Sequence, residues 1–151
     1  FFNKFATLLK FLPVFPLACP NAKFMPVYVE DLTDFMISAI NNMDTYGQKI
    51  DVTGPNEYTF RELIDQTLIA LNTRRIIIPL NNFLSRLQAR VFEKLPGKLF
   101  TMDNYQSLQI DSCSDEGFKG SSSLEDIIPQ YLNIKTKQER FEKLRKKSGR
   151  K

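Results

Sequence analysis

Residues 24–32, Phe24-Met25-Pro26-Val27-Tyr28-Val29-Glu30-Asp31-Leu32, run from an apolar extended stretch straight into an acidic start of helix. Pro26 has no N–H to give a ladder, so a strand over Phe24 to Val29 sits at an edge or a bulge. The helix that follows carries Leu32, Phe35, Met36, Ala39, Ile40 and Met43 at i, i+3, i+4, i+7, i+8 and i+11. That spacing is an amphipathic stripe, with Asp31 placed to cap it and acidic residues suited to the helix dipole.

The same unit recurs downstream. A strand over Lys49 to Thr53 ends at Gly54-Pro55, and Thr59-x-x-Glu62 forms a capping box ahead of Phe60, Leu63, Ile64, Leu68 and Leu71. Arg74 to Pro79 is a third strand, whose run of three isoleucines reads as buried on both faces. A helix from Asn82 to Leu95 follows, ended by Pro96-Gly97. Next come a short helix near Asp103 to Gln109, a Gly/Ser-rich loop from Ser112 to Ser123 and a brief helix around Leu124 to Tyr131. Upstream, Phe5, Leu8, Leu9 and Leu12 predict a helix over Asn3 to Leu12, and Pro13 to Pro20 reads as a proline-rich connector. Strands alternating with helices predict an α/β fold with parallel pairing. Three short strands leave hydrophobic edges in an open sheet, so they are expected to complete a sheet whose remainder lies elsewhere. With Phe1 rather than methionine at the start, the chain is expected to be the carboxy-terminal part of a larger protein.

At 151 residues and 42% hydrophobic, the chain suffices for one core. Its net charge of +4 is a property of the tail. Residues 135–151 carry nine Lys/Arg against two Glu, leaving twelve basic against fifteen acidic in residues 1–134. The division expected is therefore an α/β lobe over 1–134 and a basic, helical or disordered tail over 135–151. Such a tail suits anionic lipid, an acidic partner or nucleic acid phosphates, or simple solvation as a helix. The first eighteen residues are apolar, and Leu17-Ala18-Cys19 faintly resembles a lipoprotein cleavage site. Lys4, Lys10, Pro13 and Pro16 interrupt the run, so a helix packed on the core or lying on a membrane is the better reading.

The chemistry the sequence offers is limited. Two cysteines and no histidine are too few donors for a Cys/His zinc site and leave no Ser-His or Cys-His pair. None of the six glycines forms the strand–turn–helix cradle that a dinucleotide pyrophosphate needs. Gly117-x-x-Gly120 reads as loop. Tyr131 and Lys135 have the Tyr-x-x-x-Lys spacing by coincidence, beyond the sheet elements. Arg86 and Arg90, four apart on one helix, can clamp an anionic ligand or simply face solvent.

The segment 24–32, followed by Thr53-Gly54-Pro55 and Tyr58-Thr59-Phe60-Arg61-Glu62-Leu63, resembles the carboxy-terminal half of extended and atypical short-chain dehydrogenase/reductase proteins, the NAD-dependent epimerase/dehydratase group. Residues 16–22, 84–90, 95–98 and 102–105 more narrowly resemble bacterial relatives of the Rossmann-type accessory subunit of respiratory complex I. The resemblance covers residues 1–134. It implies the last sheet strands and substrate-side lobe of a Rossmann-type protein whose NAD(P) site lies upstream of Phe1. On this reading Phe2, Asn3, Lys23, Tyr28, Arg86 and Arg90 are substrate-pocket candidates, and no catalytic, cofactor or metal ligand lies in the chain.

The resemblance also implies partners among respiratory-complex or quinone-biosynthesis proteins, with no nucleic acid, and a place in the cytoplasm or peripherally on the cytoplasmic face of the bacterial inner membrane. The alternative is an NAD(P)-dependent epimerase, dehydratase or reductase acting on a nucleotide sugar or quinone precursor. Sugar-nucleotide enzymes of the group usually carry Arg-Asp where Phe24-Met25 stand here. Loss of that cation weakens a diphosphate contact, for which neighbouring Lys23 is a partial substitute.

Overall fold

The computed structural model describes residues 2–94, 100–130 and 132. The elements run α1 (Phe2–Phe11), β1 (Val14–Leu17), β2 (Lys23–Phe24), α2 (Val29–Ile40), a 3-10 turn (Met43–Thr45), β3 (Val52–Thr53), β4 (Tyr58–Thr59), α3 (Phe60–Ala70), β5 (Ile76–Pro79), α4 (Asn82–Glu93), α5 (Met102–Ser107) and β6 (Phe118–Lys119). Residues 124–130 add a last helical segment. The architecture is mixed α/β. The strands pair two by two: β1 with β5 and β3 with β6 in parallel, and β2 with β4 antiparallel.

The fold is organised around α3. Thr59 accepts from the Glu62 backbone N–H at 3.2 Å, and the Glu62 carboxylate accepts from the Thr59 N–H at 2.7 Å. This reciprocal capping box satisfies two of the donors that a helix start leaves open. At the other end Asn72 adopts a left-handed φ of 48°. Its N–H donates to Ile69 O, and the Thr73 N–H reaches back to Leu68 O, which together close a Schellman motif. Between these caps α3 buries two faces. Phe60, Ile64 and Leu68 join Leu9, Phe15, Leu17 and Ile77 in the main core. Leu63 joins Tyr58, Leu124 and Ile128 in a second cluster. Phe5 fixes the angle of α1 by meeting Phe15 and Phe60 edge-on, at centroid distances of 6.1 and 5.6 Å.

Several expectations change. Residues 13–20 are not a connector, because Val14 to Leu17 form β1 and bury Phe15 and Leu17. Its partner β5 begins 62 residues after β1 begins, so no local signal marks the pair. The strand over 24–29 shrinks to Lys23–Phe24, and that over 49–53 to Val52–Thr53. Strand β5 is not buried on both faces: only Ile77 is inside, while Ile76 is 65% exposed and Ile78 is also outside. The loop from Ser112 to Ser123 contains β6.

Helix α2 departs most. It begins at Val29 with Tyr28 as N-cap, so Asp31 is not the cap, and none of its residues is fully buried. Met36 and Ile40 of its stripe lie in solvent. It is held instead by a stacked Phe35–Phe118 pair at 4.6 Å and by Asp31. The Asp31 carboxylate accepts from the Ser122 N–H at 2.8 Å and its hydroxyl at 2.9 Å. The tail over 135–151, Pro96-Gly97 and the resembling stretch 95–98 lie outside the described residues, as do Tyr131 and Lys135.

Candidate functional site

Three of the six sequence-selected residues converge. Phe2 and Asn3, from the first turn of α1, and Tyr28, from the turn entering α2, line a slot of about 220 Å³. Its far wall is Ser122, Ser123, Leu124, Ile127 and Ile128, a contribution that sequence reading missed. The wall is placed by the Asp31–Ser122 bonds and by Tyr58, whose hydroxyl donates to the Glu125 carboxylate at 2.9–3.0 Å. These contacts join residues 67 and 91 apart, so neither had a signal in local spacing.

The two titratable groups that place the far wall are both shifted away from proton exchange near neutral pH. The hydrogen bond from the Ser122 backbone N–H is the main reason that Asp31 sits below the usual carboxylate range, which makes it a poor base at neutral pH. Burial pushes the Tyr58 phenol up, away from ionisation. The Asn3 Oδ1 atom is buried with no hydrogen-bond partner. An unpaired buried acceptor costs about 1–3 kcal/mol.

The other three candidates are elsewhere. Lys23 lies on β2 with its ammonium 2.9 Å from the Glu57 carboxylate, and that hydrogen bond raises its pKa. A cation so paired is a weak substitute for the missing arginine at position 24. Arg86 and Arg90 lie exposed on α4, outside the lining of the slot.

A larger, apolar cavity of about 680 Å³ was not foreseen. It lies between α1, β1 and α4 and is lined by Phe5, Leu8, Leu12, Phe15, Gln88 and Phe92 among others. Asn3 lines both spaces. Gln88 donates its amide to Pro16 O at 3.1 Å, while its Oε1 is buried and unpaired. Cys19, at the end of β1, has a φ of 47° and gives its N–H to Ser85 of α4. Burial raises its thiol pKa, so it is not an activated nucleophile.

Among the described residues no group of three or more His, Cys, Asp or Glu side chains is placed to hold a metal ion. No described glycine opens a helix directly after a strand. Gly54 serves a different purpose, since a Cβ there would stand 2.0 Å from Pro26 O. Gly120 likewise makes room for Asp31. Among the described residues no helix is long and apolar enough to cross a membrane.

No protein-family model matches the chain. It is 29% identical over 139 residues to the rat (Rattus norvegicus) protein named NADH dehydrogenase (ubiquinone) 1 alpha subcomplex subunit 9, mitochondrial. The match covers 90% of this chain and 36% of that protein, so the chain spans about a third of its relative's length. The likeness is distant, runs through nearly all of the chain, and is to a subunit of an NADH dehydrogenase.

Proposed function

We propose that the chain is the substrate-side lobe of a complex I accessory-subunit-like protein, NAD(P)-binding when whole, that supports a respiratory complex rather than turning over a substrate. The observation carrying this reading is the likeness over 139 residues to an NADH dehydrogenase subunit. Two features of the site agree with it. The slot beside Asn3 has largely apolar walls, and the nearby Asp31 carboxylate is tied to Ser122. On this reading the cofactor is held by other parts of the whole protein, and no step through it is assigned to these residues.

Co-migration tests the reading. The protein, carrying an epitope at its carboxy end, is expressed in its own cells, and membranes are solubilised in mild detergent and resolved on native gels. The expected result is epitope in the band with NADH dehydrogenase activity, and a weaker or smaller band when the gene is deleted. An epitope confined to free protein, with that band unchanged by deletion, overturns it. Turnover of a nucleotide sugar by the purified whole protein would instead favour the epimerase alternative.

A further inference from the structure

Helix α4 leaves most of its large apolar side chains in solvent. Its fully buried residues are small, Ser85 and Ala89, with Gln88 and Phe92 half-buried beside them against the cavity. Its outward side carries Phe83, Leu87 and Val91 at i, i+4 and i+8, with Leu84 beside them. Phe83 is 74% exposed and Val91 50%. A row of this kind left in water forgoes burial of four large side chains, which signals a surface that covers it. Along the border of the row run Arg86 and Arg90, followed by Lys94, against the single acid Glu93. Neither arginine is in an ion pair among the described residues.

Charge selects what covers it. The chain has a second exposed apolar helix face, Met36, Ile37 and Ile40 on α2, continued by Met43. That face is accompanied by Glu30, Asp34 and Asp44 with no basic residue between positions 29 and 46. An anionic surface repels the α2 face and attracts the α4 face. An apolar row edged by arginines is the composition of a helix lying in a membrane interface, with its apolar side in the acyl boundary and its cations at the headgroups. We infer that α4 docks the chain on an anionic lipid membrane, with Phe83, Leu84, Leu87 and Val91 inserted and Arg86 and Arg90 on lipid phosphates. This assignment is independent of the basic tail and of any cofactor, and vesicle binding and co-migration fail separately.

The chain has no tryptophan, so one introduced residue reports its own surroundings. Leu87→Trp in the full chain is mixed with phosphatidylcholine vesicles with and without phosphatidylglycerol. Its emission is expected to shift to the blue and to be quenched by brominated acyl chains only when phosphatidylglycerol is present, while Met36→Trp on α2 stays unshifted. Val91→Trp, on the same row, serves if Leu87→Trp folds poorly. Replacing both arginines (Arg86→Gln with Arg90→Gln) is expected to weaken vesicle binding by about fivefold per arginine, equivalent to about 1 kcal/mol each, roughly thirtyfold together at low salt. An unshifted α4 tryptophan, a Met36→Trp that shifts equally, or an arginine double variant that binds like the unaltered chain overturns the assignment; the last outcome would give the binding to the tail.

Discussion

Replacing Gly54 by alanine tests whether the close approach beneath the slot is as tight as it stands. Gly54 donates its N–H to Met25 O at 3.1 Å, and the chain crosses Pro26 so closely that a Cβ would lie 2.0 Å from the Pro26 carbonyl oxygen and 2.9 Å from its carbon. A comfortable carbon–oxygen contact is about 3.3 Å, so the two backbones must part by about 1.3 Å. Neither neighbour is a flexible side chain that can swing away. Overpacking of this kind costs about 1–3 kcal/mol, and losing the Gly54–Met25 bond adds about 1 kcal/mol. The expected loss is therefore about 2–4 kcal/mol, which at this chain length is roughly a 5–15 °C drop in Tm.

The assay is urea unfolding followed by circular dichroism, with the slope required to stay unchanged so that the midpoint reports stability. Gly47→Ala is the control: its φ is +72° but nothing lies within 4 Å, so only the left-handed backbone is penalised, by about 1–2 kcal/mol. If Gly54→Ala costs less than Gly47→Ala, the crowding at Pro26 is not real and the placement of Pro26 and Val27 beside Asn3 must be redrawn.

Three further outcomes follow from the same contacts. Asn72 closes α3 in the left-handed region, so Asn72→Ala is expected to lose about 1 kcal/mol in urea unfolding while Asn72→Gly matches or exceeds the original. Tyr58→Phe removes the bonds to Glu125, and since that carboxylate reaches solvent the loss should be near 1 kcal/mol, with amide exchange in residues 124–130 rising more than in α3. Asp31 and Glu62 both have lowered pKa values in the folded chain, mainly through the backbone N–H groups of Ser122 and Thr59. Their contribution is full above the ordinary values of 3.8 and 4.5 and disappears as pH falls through the lowered folded values, so Asp31→Asn with Glu62→Gln should flatten the acid limb of a stability-versus-pH curve and leave its slope above pH 5 unchanged.

What the sequence determined by itself was local. The Thr59–Glu62 box was legible because a helix start is satisfied by a partner three residues away. The α/β class was legible because strand and helix periodicities differ over a few residues. The six pocket candidates came from a resemblance; Phe2, Asn3 and Tyr28 line one slot, while Lys23, Arg86 and Arg90 lie away from it.

Only the tertiary structure decided which faces are covered. The α2 and α4 stripes look alike in sequence, yet α2 leaves Met36 and Ile40 in water, and α4 turns Ser85 and Ala89 inward and Phe83 outward. Periodicity shows that a helix has an apolar side but carries no record of what meets it. The pairing of β1 with β5, the Asp31–Ser122 bonds and the Lys23–Glu57 ion pair were hidden for the same reason. Each joins residues tens of positions apart, and their energies depend on distances of about 3 Å that exist only once the intervening chain has folded.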